Sequence, residues 1–200
     1  MKNIFLMIIV LLSIKCSSQT VNIKDKDGTR TNGAYYKDVD NELNQFEGTY
    51  QLITNNGNDE LTIVFKKFTN QYNTKFYQDV LAGEIRFKKN GVTYFDNLNK
   101  LNLNLPNKYL HDICGNSLIE NDTRPVCEDC SANQFRARLI FFGRNNICGG
   151  YVILQKIIEN GQEKIKASFY HDCNEYYPGQ SENPNPYLVA GDYILTRINW

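Results

Sequence analysis

Asn160-Gly161 separates two apolar-rich runs, and it narrows the fold more than any other stretch of the chain. Asn-Gly favours a type I′ turn, in which both central residues take φ > 0, so the flanking runs read as a β-hairpin with a two-residue loop. Count outward from Glu159 opposite Gln162. Leu154 then faces Ala167, Val152 faces Phe169, Gly150 faces His171, and Cys148 faces Cys173. With Glu159–Gln162 hydrogen-bonded, the even-numbered residues of the first strand occupy sites where opposed Cα atoms approach to about 4.5 Å, within reach of a disulfide. The same register places Val152, Leu154, Ala167 and Phe169 on one face, with Gln155 and Lys166 on the other. Turn chemistry, alternation and cysteine position agree on one register and predict a Cys148–Cys173 cross-strand disulfide. An intervening bulge would break it.

The turn signal recurs. Asn56-Gly57 sets Leu52 opposite Leu61, Tyr50 opposite Ile63, and Gly48 opposite Phe65, suggesting a ring laid over a glycine. Asn90-Gly91 sets Phe87 opposite Tyr94, and Gly83 reads as a bulge. Ile85 and Phe87 alternate with Glu84, Arg86 and Lys88, as in a strand with one wet face. A strand over 45–54, an alternating run at 135–141 and a closing strand over 188–198 complete the pattern. Leu101–Leu105 alternates Leu with Asn until Pro106, and 109–133 reads as a long stapled loop with at most one short strand. Eight or more short strands in hairpin order predict an all-β fold. An antiparallel meander barrel is favoured by the one-wet-face alternation; a strongly curved sandwich is the alternative.

Two hundred residues suit one domain, and 13 Tyr with 11 Phe can fill a core. The 22 basic and 22 acidic residues form no long run of either sign, so nothing marks a nucleic-acid face. Met1–Lys2, the apolar run Ile4–Leu12 and the small residues that follow read as an export signal over 1–18. Two processing readings compete: a lipobox ending at Cys16, with Lys15 off pattern, and ordinary cleavage after Ser18. Residues 19–44 read as a polar N-terminal arm and 45–200 as the all-β domain. Asp25-Lys26-Asp27-Gly28 starts like a calcium loop but lacks its closing Glu, so a solvated turn is expected. Location is then the periplasm, the outer membrane through a lipid on Cys16, or the exterior.

Tyr35-Tyr36-Lys37-Asp38 and Leu43–Tyr50, behind Cys16-Ser17-Ser18-Gln19-Thr20, resemble a family of small exported proteins of flavobacteria and their relatives. That family is a domain of unknown function, so the resemblance implies export and a single domain and supplies no activity. The chain is also similar, more weakly, to lipocalin-type barrels. These carry Gly-x-Trp on the first strand and an Arg on the last strand that packs over it. Gly48-Thr49-Tyr50 and Arg197 take those places, with Tyr where the pattern has Trp. The likeness implies a closed barrel with a cup for a small apolar ligand.

In an exported chain of six cysteines, disulfides are the default. Beyond Cys148–Cys173, the bridges Cys127–Cys130, Cys114–Cys127 and Cys114–Cys130 stay open, and one thiol is left over. A zinc site of Cys114, Cys127, Cys130 and Cys148 lacks a second Cys-x-x-Cys. A redox Cys-x-x-Cys belongs to a βαβ context that this chain does not have. His111 and His171 each precede Asp and a nearby Cys, yet the hairpin register makes His171 a rim residue and commits Cys173 to a bridge. No catalytic residue, metal or cofactor is assigned. The expected function is non-catalytic binding of a small apolar ligand in a barrel cup lined by Tyr50, Ile63, Phe65, Phe87, Leu154 and Phe169. The alternative is an interaction or adhesion surface on the loop of Tyr176, Tyr177 and Tyr187, facing an envelope partner. An envelope hydrolase comes last. No nucleic acid is expected, and membrane contact only through Cys16.

Overall fold

The computed structural model describes residues 19–25, 30–142, 149–171 and 188–199. Within them are β1 (Thr20–Asn22), β2 (Tyr35–Lys37), β3 (Gly48–Thr54), β4 (Asp59–Tyr72), β5 (Tyr77–Lys89), β6 (Val92–Asp96), β7 (Ile113–Ile119), β8 (Arg136–Phe141), β9 (Gly150–Glu159), β10 (Gln162–His171) and β11 (Gly191–Ile198). Asn160-Gly161 turns with φ of 52° and 74°, and the β9–β10 register runs from Glu159↔Gln162 to Gly150↔His171 as expected. Cys148 and Cys173 lie outside the described residues. Asn56-Gly57 sits in a wider 3-10 turn, closed by Asn58 N–H donating to Asn55 O. The register expected for it still holds, with Tyr50↔Ile63 and Gly48↔Phe65.

Three local expectations fail. After Lys88↔Thr93 the β5–β6 ladder slips by one, so Phe87 pairs with Phe95 and Tyr94 is the extra residue. Gly83 is not a bulge: the β4–β5 ladder passes through it and breaks only beyond Phe68. Its bare α-carbon instead makes room for Phe65, since a Cβ there would stand 2.6 Å from Phe65 Cε1. Gly48 lies beneath Arg197 rather than Phe65, with Nε 3.1 Å from where a Cβ would be.

The strands close into an eight-stranded antiparallel barrel in the order β3-β4-β5-β7-β8-β9-β10-β11 and back to β3, with β6 hanging from β5. A barrel, not a sandwich, is therefore the architecture. β7 takes the place of the one short strand allowed in the segment read as a stapled loop. A register shift between Cys114 and Ser117 interrupts its alternation, which hid the strand from a period of two. Leu101 lies in a 3-10 turn, Leu98–Asn102, not a strand. Described parts of the N-terminal arm join the sheet. β1 pairs with β2 in parallel, and β2 with the start of β5.

An eight-stranded barrel has an interior that side chains can just fill. Here they do. Phe46, Ile63, Ile85, Leu154, Ile165 and Leu195 have no surface that a water molecule could touch. A void large enough for a ligand would expose its walls. Tyr50, Phe65 and Phe169 are 1–2 % exposed and Phe87 7 %. The six residues expected to line a cup are thus a packed core, in one cluster with Leu43 and Phe46.

Leu43 and Phe46 come from the 3-10 turn Glu42–Phe46, which plugs the end of the barrel where β3 begins. Asp38 holds that turn by accepting from the N–H of Glu42 and of Leu43, each at 2.9 Å. Lys67 Nζ lies 2.8 Å from the same carboxylate, and both charges are buried. From within, Tyr50 Oη donates to Gln45 O and Glu47 O at 3.4 Å.

The 3-10 turns Leu98–Asn102 and Lys108–Leu110 cover the outer face of β4, β5 and β7, burying Val80, Ala82, Leu101 and Cys114. Glu84 and His111, both 0 % exposed, meet beneath this layer, Oε1 to Nδ1 at 2.6 Å. Lys100 Nζ stands 3.6 Å from Glu84 Oε1 and 3.5 Å from Asp112 Oδ1. The His111 ring stacks on Phe68, centroids 5.6 Å apart. Burial raises the Glu84 carboxyl pKa, outweighing the opposing hydrogen bond from His111.

Two measurements follow. Phe46→Ala should cost ~3–5 kcal/mol in urea unfolding, because the plug cannot collapse into the space left. For Glu84, a raised folded-state pKa means its contribution is complete below the ordinary value of 4.5 and is lost as pH climbs through the raised one. Wild type measured against Glu84→Gln should therefore lose relative stability between pH 4 and pH 7. A difference that does not change with pH would contradict this.

Candidate binding cleft

With the barrel filled, a ligand must meet its outside. At the plugged end a cleft of about 580 Å³ opens between the turn Glu42–Phe46, the segment 129–135 and the last residues of β9. It exists because β9 outruns its neighbour. The β8–β9 ladder ends at Ala137↔Leu154, whereas β9 continues to Glu159 paired with β10 alone. Odd-numbered residues of β9 bond to β10, so the even-numbered ones turn their N–H and C=O groups toward the cleft. Gln134 Nε2 donates to Lys156 O at 2.6 Å. Among the described residues no backbone group takes the N–H of Lys156 or Ile158 on that side.

The walls are mixed. Glu42 and Gln45 stand on the plug side, Asp129 and Ser131–Phe135 opposite. Ile157 and Ile158 line the strand side, and Ile158 is 70 % exposed. Most charges are already matched. Lys24 Nζ lies 2.8 Å from Glu42 Oε1 and 3.0 Å from Asp40 Oδ2, and sits 4.5 Å over the Phe135 ring. Lys156 pairs with Glu163 at 2.8 Å, and with Arg197 it holds the Glu163 carboxyl below its usual range. Asp129 has no salt-bridge partner among the described residues, so the rim keeps a net negative charge. Backbone donors, side-chain amides and an apolar pair are what an extended chain needs to be held. No nucleophile stands beside a base in this cleft among the described residues.

The residues singled out from sequence fall elsewhere. Tyr176, Tyr177, Tyr187 and Cys16 lie outside the described residues, as do Lys26–Gly28 of the calcium-like stretch. His171 pairs with Gly150, stacks on Phe141 at 6.1 Å, and is half-buried with its pKa lowered by that burial. Tyr36 is buried against Phe76, and Tyr35 Oη donates to Asp79 Oδ1 at 2.5 Å, so that pair serves packing. Cys127 bonds to Cys130, while Cys114 is free and buried in the outer layer. That removes two of the four thiolates from the zinc grouping. The cleft itself was not anticipated. Its one sequence trace is Ile157-Ile158, adjacent apolar residues of which alternation must expose one.

No curated protein and no solved structure matches the chain. The model of one protein family does match, over residues 1–197. With nearly the whole length covered, the chain belongs to that family, the family of unknown function DUF6705.

Proposed function

We propose that this protein is an exported, non-catalytic binding module of the bacterial envelope whose working surface is the cleft at the plugged end of the barrel. The charged start, apolar run and small residues of 1–18 support export, with Cys16 as a candidate lipid anchor. The meander with Arg197 over Gly48 supports a lipocalin-like architecture, although a filled interior leaves no cup to use. The single observation that carries the reading is the overrun of β9 past β8, which presents unpaired backbone donors inside a cleft of about 580 Å³. The occupant is an extended peptide segment of a partner protein, added as a strand along Gln155–Glu159. The negative rim at Asp129 favours a basic residue in that peptide.

Titration of ¹⁵N-labelled protein with a capped Val-Lys-Val-Lys-Val peptide tests this. The amides of Lys156 and Ile158 and the side-chain amide of Gln134 should shift together, and Ile158→Asp should weaken binding about tenfold or more. Shifts confined to other surfaces, or none at millimolar peptide, would sink the cleft as the working surface.

A further inference from the structure

Cys127 and Cys130 form a disulfide across Glu128 and Asp129, on the loop between β7 and β8. Both cysteines reach the surface. The bridge closes only four residues, so it removes little chain entropy from the unfolded state. The loop is fastened independently. Arg136, 4 % exposed, donates to Pro125 O and Glu120 O at 2.7 Å and to Thr123 O at 2.9 Å. Asn121 Nδ2 donates to Ser131 O, and Cys127 N–H to Asn121 O. The fold therefore has little need of this bridge.

Its surroundings suit chemistry. Cys127, Asp129 and Arg136 line one recess of about 80 Å³ on the outer face of the barrel. The hydrogen bonds of Arg136 go to carbonyls, its Nε is buried without a partner, and among the described residues no carboxylate lies in salt-bridge range of it. A buried positive charge lining the same recess as a sulfur favours its thiolate. Asp129 Oδ1 lies 3.2 Å from Cys127 Sγ, placed to repel an incoming thiolate there and to accept from a thiol once one forms.

Against the expectation drawn from the missing βαβ context, we propose that Cys127–Cys130 is a thiol–disulfide exchange site whose substrates are dithiols of other polypeptides. The substrate thiolate attacks Cys130 Sγ, forming a new S–S bond as the Cys127–Cys130 bond breaks. Cys127 leaves as thiolate into the Arg136 recess and takes a proton from water, and the resulting thiol hydrogen-bonds to Asp129 Oδ1. The second substrate thiol, as thiolate, then attacks the mixed disulfide, and Cys130 leaves and is protonated. The substrate dithiol loses two electrons and two protons, and this protein gains them.

The test mixes the oxidised, folded protein with an equimolar reduced Cys-x-x-Cys peptide, quenches with alkylating agent and maps the modified cysteines by mass. One peptide disulfide should form per protein, with alkyl groups on Cys127 and Cys130 and an unchanged circular dichroism spectrum. Cys114 serves as internal control. Burial pushes its thiol up to about 12, so it should stay unalkylated while the barrel is folded. The double variant Cys127→Ser/Cys130→Ser should lose the transfer entirely while its Tm moves by no more than roughly 5 °C. Arg136→Met should slow the transfer about tenfold or more. If Cys127 and Cys130 are reduced only as the barrel unfolds, with Cys114 alkylating alongside them, the bridge is structural and the proposal fails. That readout stands on wild type alone should a variant fail to fold. Asp129 borders both sites, but the exchange assay contains no strand-forming peptide, so the amide titration decides the cleft reading separately.

Discussion

Three residue pairs between β5 and β7 hold the barrel shut: Leu81↔Gly115, Ala82↔Cys114 and Gly83↔Ile113. The same edge of β5 is shared in succession by β2, β7 and β6, so no longer seam is available there. Two of the six residues are glycines, and both are needed as such. A Cβ on Gly83 would strike the Phe65 ring, and one on Gly115 would stand 3.2 Å from Leu139 Cα. The space these glycines leave is taken by the flanking strands, the Phe65 ring of β4 over Gly83 and the β8 backbone beside Gly115, so the packing on both sides of the seam depends on them. If β7 separated from β5, the apolar lining of two strands would face water.

At the end where β3 begins, the constraint is electrostatic. Asp38 and Lys67 are both buried, and each finds the other together with hydrogen-bonding groups of the plug turn. A pair taken out of water is tolerated only when its remaining hydrogen bonds are met. The turn Glu42–Phe46 supplies them, and in return its position is fixed to the barrel wall. That fixed turn then serves as one wall of the cleft, so what closes the core also shapes the outside.

Hairpins were legible because their information is local. Asn160-Gly161 and Asn90-Gly91 dictate φ at two residues, and Val152, Leu154, Ala167 and Phe169 then choose the face. The barrel followed from counting such units. β7 was only partly legible: one short strand was allowed within 109–133, but its register shift cancels the alternation that would have placed it. The bulge at Tyr94 was hidden for the opposite reason: the turn beside it is regular, and the slip, which leaves Phe87 stacked on Phe95 5.9 Å away, has no mark in the alternation. The cleft was invisible because it arises from unequal lengths of β8 and β9, a relation between strands. The inward residues expected to line a cup, found packed in one cluster, show the same limit. Composition and alternation name the residues that line a barrel, and only packing decides whether they enclose space.

The pairing of β3 with β11 has a kinetic side. Every other contact around the barrel joins strands that follow one another, apart from the small detour of β6. Hairpins of that kind form within microseconds. The last contact, Tyr50↔Arg197 and its neighbours, joins nearly opposite ends of the described chain. Its loop-closure entropy must be met before any of its own bonds form. The ladder is short, three residue pairs, so it offers little in return until Arg197 has settled over Gly48 and Glu163. Folding should thus pass through an open, curled sheet whose two free edges are β3 and β11. During that interval the chain exposes an unpaired strand edge at each end, the surface on which β proteins associate wrongly.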